Sequence, residues 1–117
     1  MAKKQIFTTI GKVNDFNTTM PLLQSMYNEF KEFSKKKPEA VVSKNKILIV
    51  NRLLVKIRTI IEDQESINYL DILNEDDLPQ ISDVTIMLSQ YVAAMSAYKE
   101  KYCPFNDEEL KNIWLIK

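Results

Sequence analysis

Histidine is absent from this 117-residue chain, and glycine and cysteine occur once each. Without histidine the chain lacks the usual general base near neutral pH, the commonest metal ligand and the ordinary pH switch. A lone glycine, Gly11, excludes a glycine-rich phosphate cradle and argues against an all-β fold built on tight turns. The single cysteine, Cys103, has no partner for an intramolecular disulfide and fits a reducing compartment, so a cytoplasmic location is expected. No apolar run approaches the roughly 18 residues that a bilayer span needs. The basic start of the chain is not followed by the apolar core of a signal peptide. Neither a membrane role nor a leader is expected.

Hydrophobic residues make up 45% of the chain, enough for one core. A single domain over residues 1–117 is expected, burying roughly two-thirds of its unfolded surface. The stretch Ser43–Gln64 organises it. At about 100° per residue, Ile47, Ile49, Val50, Leu53, Leu54, Ile57, Ile60 and Ile61 share an arc of roughly 160°. That arc is too wide for a coiled-coil seam, so this helix should touch two neighbours. Asn51, Arg52, Lys56, Arg58, Thr59 and Glu62 take the other side. Ser43 is a good N-cap, with Val42 and Ile47 as a hydrophobic staple.

A first helix is predicted from an N-cap at Thr18 or Thr19, with Pro21 in its first turn and a stripe of Leu23, Met26 or Tyr27, Phe30 and Phe33. Lys35, Lys36 and Lys37 suit the negative end of its dipole, and Pro38 stops it. Residues 1–18 then read as a flexible or loosely packed N-terminal arm. Within it, Gln5–Ile10 is rich in β-formers but has no evident partner strand. Beyond Gln64 the apolar phase fails, which predicts a break near Glu62–Ser66 and a short helix over 67–73. A third long helix, capped by Ser82 and ended by Pro104, carries a clean heptad seam: Ile81, Val84, Leu88, Tyr91, Met95, Tyr98 and Tyr102. Asn106–Glu109 reads as a capping box for a last helix from Asp107 to about Leu115. The expected fold class is therefore all-α, a small up-and-down helical bundle of three long helices plus one or two short ones.

Formal charge is zero but unevenly placed: nine basic and two acidic residues between Lys31 and Arg58, then eight consecutive acidic charges from Glu62 to Asp83. The acidic stretch lacks the alternation and glycine of a calcium loop and reads as a solvated turn, so no metal site is expected. Glu108 and Glu109 diverge by about 100° on a helix and cannot act as an acid/base pair. Cys103 has no histidine to activate it and sits at a helix C-terminus, which disfavours thiolate. Tyr91, Tyr98 and Tyr102 have the spacing of core residues with hydroxyls at the rim. No catalytic residue and no cofactor emerge, and a non-enzymatic protein is expected.

Two surface features remain. Leu48 and Val55 fall in the middle of the polar side of the central helix, seven residues apart, and form a candidate partner interface. They would be covered either within the chain or by another one. Lys44, Arg52, Lys56 and Arg58 form a candidate basic patch. The function expected from these features is protein–protein interaction: an adaptor, an inhibitor or immunity-type protein, or an oligomeric subunit. The alternative is a nucleic-acid-associated protein that uses the basic face on phosphates, a reading weakened by a pI near 6.3 and only two arginines.

Overall fold

A computed structural model describes residues 6–117. Three long helices carry the structure: α1 (Ile10–Lys36), α2 (Lys44–Ile60) and α3 (Ile81–Tyr102). A short 3-10 helix spans Glu65–Tyr69, and a two-stranded antiparallel hairpin pairs β1 (Phe105–Asn106) with β2 (Lys111–Asn112). The protein is thus mostly helical, as expected, with a small sheet that was not.

Helix α1 begins more than two turns before the position predicted from Pro21. Thr9 is the N-cap, its hydroxyl accepting from the Lys12 N–H at 3.2 Å. Val13, Phe16, Leu23 and Phe30 are buried along one stripe, so the apolar repeat reaches back past the proline. Pro21 lies inside the helix on its exposed side, where the carbonyl of Asn17, deprived of its N–H partner, is close to water. Residues 10–18 are therefore helix and not an arm. The β-forming segment does find a partner. Thr8 donates its N–H to Leu115 O at 2.8 Å and accepts from Lys117 N at 3.0 Å, a parallel bridge to the end of the chain. Gln5 lies outside the described residues.

Helix α2 starts where its sequence says, with the Ser43 hydroxyl accepting from the Lys46 N–H at 3.3 Å. It runs antiparallel to α1, since Lys56 meets Asp15 at 3.3 Å and Lys12 reaches Glu62 and Asp63 at 3.6 and 3.7 Å. These contacts resolve a local conflict. Glu62 and Asp63 stand at the negative end of the α2 dipole, and the Lys12 cation offsets them. Burial pushes the Asp63 carboxyl upward, but the Gln64 amide and the charge of Lys12 outweigh it and hold the group below the usual aspartate range.

The break after α2 falls in the expected place, but the short helix is 3-10 and ends at Tyr69. Residues 70–73 then run extended, back along α2, with Leu70 and Leu73 buried. Asn51 fixes this strand-like return by donating to Leu73 O at 2.7 Å and accepting from Leu73 N at 2.8 Å. The Arg58 guanidinium donates to Leu70 O. The segment closes beside the start of α2, where Val42 N donates to Pro79 O at 2.8 Å and Ile81 N to Ala40 O at 2.9 Å. Helices α2 and α3 consequently point the same way, both antiparallel to α1. The upward pass of a simple up-and-down order is made by extended chain.

Helix α3 is capped by Gln80, not Ser82, and the Asp83 carboxylate accepts from the Gln80 N–H at 3.1 Å. Its heptad seam is the core of the molecule: Val84, Leu88, Tyr91, Met95, Tyr98 and Tyr102 are all buried, with Ile81 half-buried at the end. The tyrosine hydroxyls are satisfied at the edge of that core. Tyr91 donates to Asp71 O at 2.8 Å, Tyr102 accepts from Gln64 Nε2 at 3.1 Å, and Tyr98 bonds the Thr8 hydroxyl.

Burial pushes the Tyr91 and Tyr98 hydroxyls above the usual tyrosine value. The folded state therefore holds these protons more tightly than the unfolded chain. Their contribution is complete below the ordinary value of about 10 and is lost as pH rises through the raised folded values. Stability measured by urea unfolding should fall on going above about pH 10, and Tyr98→Phe should blunt that fall. An alkaline profile identical in wild type and variant would contradict the assignment.

The predicted last helix does not form. Asn106 does cap a turn, its Oδ1 accepting from Glu108 N at 2.9 Å and Glu109 N at 3.0 Å. Leu110 then turns left-handed, at φ 55°, and the chain folds back as β2. A helix of two turns gains little alone. Here it competes with backbone bonds from Ile113 N to Pro104 O and from Leu115 N to Tyr102 O, at 3.0 and 2.7 Å. Trp114 docks without that helix, edge-on to Phe16 with ring centroids 5.1 Å apart, while Leu110 is exposed.

Candidate partner-binding groove

Helix α1 carries two apolar stripes. Val13, Phe16, Leu23 and Phe30 are buried in the core, while Leu22, Met26 and Phe33 overhang toward α2. On α2 the buried arc is Ile47, Val50, Leu54, Ile57 and Ile60, which leaves Ile49 and Leu53 at its edge toward α1. The two overhanging stripes do not close on one another. They form the walls of a groove of about 620 Å³, with Thr19, Phe30 and Val50 among the residues at its base. Leu22 and Ile49 remain 55% and 50% exposed on the two sides, and Phe33 is 47% exposed at one end.

Charge is distributed unequally along its rim. Lys46, Arg52 and Lys56 all lie on the α2 side, and Glu29 is the carboxylate on the α1 side. Lys46 also stands over the Phe33 ring, 5.6 Å from its centroid, and Lys56 shares its charge with Asp15. The walls are helical, so their backbone N–H and C=O groups are already paired within each helix. The groove therefore presents apolar side chains and cations, with Ser25 and Thr19 as its hydroxyls.

The residues singled out in the sequence are divided by the structure. Leu48 and Val55 do lie on the outer side of α2, 55% and 51% exposed, but away from the groove. The four cations of the candidate basic patch do not form one surface. Arg52 and Lys56 border the groove, Lys44 is exposed in the first turn of α2, and Arg58 is half-buried against Leu70 O and the Tyr91 hydroxyl, 3.4 Å away. Arg58 is a structural residue. Phe33, Ile49 and Leu53 were missed because each belongs to a repeat that reads as core, and Leu22 because it stands outside the stripe predicted for the first helix. The signal that could have exposed them is the coexistence of two apolar stripes on α1, more than two neighbouring helices can cover.

Other chemistry is sparse. Among the described residues, no three His, Cys, Asp or Glu side chains come together as a metal site would require. In the acidic turn, Asn74 Oδ1 accepts from Asp76 N at 2.9 Å, which explains the turn without a cation. Cys103 is buried, and burial raises its thiol pKa, leaving a poor nucleophile. No helix is long and apolar enough to cross a membrane. Comparison with protein-family models, with curated proteins and with solved structures finds no match for the chain.

Proposed function

We propose that this protein is a non-enzymatic protein–protein interaction module and that the α1–α2 groove is its docking surface. One observation carries the reading: exposed large apolar side chains from two different helices converge on a single concavity. Scattered exposed hydrophobics need no explanation, whereas a contiguous, concave set costs solubility and is retained where something covers it. The groups at the groove also suit binding more than chemistry, since a single carboxylate faces three cations and no nucleophile is paired with a base. The lone buried thiol fits work in a reducing compartment such as the cytoplasm. Leu48 and Val55 offer a second, smaller contact face. The phosphate-binding alternative is disfavoured by the diversion of Arg58 inward and of Lys56 onto Asp15.

Photocrosslinking tests the proposal. With a benzophenone amino acid at Leu22, the protein expressed in its native cell should give a discrete protein adduct. The same probe at Leu110, on the distant hairpin turn, should not. Adding Ile49→Asp to the Leu22 probe should remove the adduct without altering the circular dichroism. An adduct indifferent to Ile49→Asp, or no adduct at Leu22, overturns the groove as the docking surface.

A further inference from the structure

Resting on the groove as the docking surface, we infer that its occupant is an amphipathic α-helix of another protein, with acidic residues along one edge of its apolar face. Three properties of the groove converge on this class.

The first is backbone chemistry. An extended peptide leaves its own N–H and C=O groups to be paired, and such peptides bind by adding a strand to an open sheet edge. Both walls here are helices with their peptide groups engaged, so they offer no such edge. An occupant whose backbone groups are satisfied internally fits, and for a peptide that means a helix.

The second is size. From Thr19 to Phe33 the α1 wall runs about 21 Å, at 1.5 Å per residue, or roughly four helical turns. A helix of that length and about 10 Å across would occupy roughly 1,600 Å³, far more than the groove holds. Only one row of its side chains enters, spaced i, i+4, i+7, i+11, while the helix body lies across Leu22 and Ile49.

The third is charge. The cations Lys46, Arg52 and Lys56 stand on the α2 rim; Glu29 opposes them across the groove, and Asp15 takes up part of the charge of Lys56. A seated helix would present one polar edge to that rim, and acidic residues there complement it. A basic edge would meet like charge at Lys46 and Arg52. The chain's own acidic stretch does not supply this helix, because residues 70–73 are bound to Arg58 and Asn51 and the helix beside them has five residues.

Three synthetic helical peptides of about 18 residues test the inference, a length that fills roughly four turns with a margin at each end. All carry leucine at i, i+4, i+7 and i+11 on an alanine-rich background. The flanking positions are all Glu, all Gln or all Lys. Binding to the full-length protein is read by fluorescence anisotropy. The Glu peptide should bind at least about tenfold more tightly than the Lys peptide at about 50 mM salt, with the ratio shrinking at about 300 mM. Leu22→Asp should abolish binding of all three. The double variant Arg52→Glu, Lys56→Glu should reverse the order of the Glu and Lys peptides, an outcome that misfolding cannot imitate. Equal binding of the Glu and Lys peptides, lost on Leu22→Asp, overturns the acidic partner and leaves the docking groove standing. No binding by any peptide, or binding indifferent to Leu22→Asp, overturns both. A concentration-dependent dimer dissolved by Leu22→Asp would make a second copy the occupant and overturn the inference.

Discussion

Leu54→Ala should lower the free energy of unfolding by about 3–5 kcal/mol, whereas Leu48→Ala on the same helix should change it by less than about 0.5 kcal/mol. The two residues have the same chemistry and opposite surroundings. Leu54 is fully buried in the hydrophobic core cluster, so its truncation removes apolar contacts and leaves a cavity. Leu48 is 55% exposed, and alanine is the better helix former. Urea unfolding followed by circular dichroism measures both, with the midpoint shifting and the slope unchanged if only stability has moved. A loss of this size is a large share of the roughly 5–15 kcal/mol that holds a domain together. Ile57→Val, at about 0.5–1.5 kcal/mol, therefore supplies a milder core probe should Leu54→Ala not fold. Similar costs for Leu54→Ala and Leu48→Ala would mean that α2 is rotated or that Leu48 is covered within the chain.

Asn51→Ala should cost about 2–4 kcal/mol, far more than Asn45→Ala on the exposed side of α2. The Asn51 amide makes a two-way exchange with the Leu73 peptide, one bond in each direction. Both residues are at least partly buried, so alanine would strip an N–H and a C=O of their partners together. Leu73 would lose its anchor, and the extended return would be held only through Arg58 at Leu70 and Tyr91 at Asp71. The amides of residues 70–73 should accordingly exchange hydrogen faster in Asn51→Ala than in Asn45→Ala. Equal stability of the two variants would remove Asn51 from the role of clamp.

What could be read in the residues, and what could not, separates by the range of the interactions involved. Helix α2 was legible from Ser43 onward because cap, staple and apolar arc are all local and agree. The α3 seam was legible for the same reason, seven residues at alternating steps of three and four. Pro21 misled because it is equally at home in a first turn, and the choice was made by the burial of Val13 and by Phe16 packing on α3, its ring 6.0 Å from that of Tyr98. Asn106–Glu109 misled because a cap starts a helix without sustaining it, and the continuation was decided by backbone bonds to Tyr102 and Pro104. Arg58 and Asn51 read as solvent-facing because their partners are carbonyls and amides more than ten residues away, invisible to any helical wheel. The groove was hidden by the same logic: a wheel shows which residues are apolar together, not how far apart two neighbouring helices stand.

The bridge through Thr8 carries a consequence for how the protein is made. Thr8 is held by Leu115 and Lys117, and Phe16 by Trp114, so the first turns of α1 are completed by residues synthesised only after α3. Closing so long a loop adds only slowly to the entropic cost, which grows with the logarithm of its length, but closure must wait for both contacting segments to be made. During synthesis the start of α1 therefore stays unlatched until residues 114–117 have been made, after all three long helices.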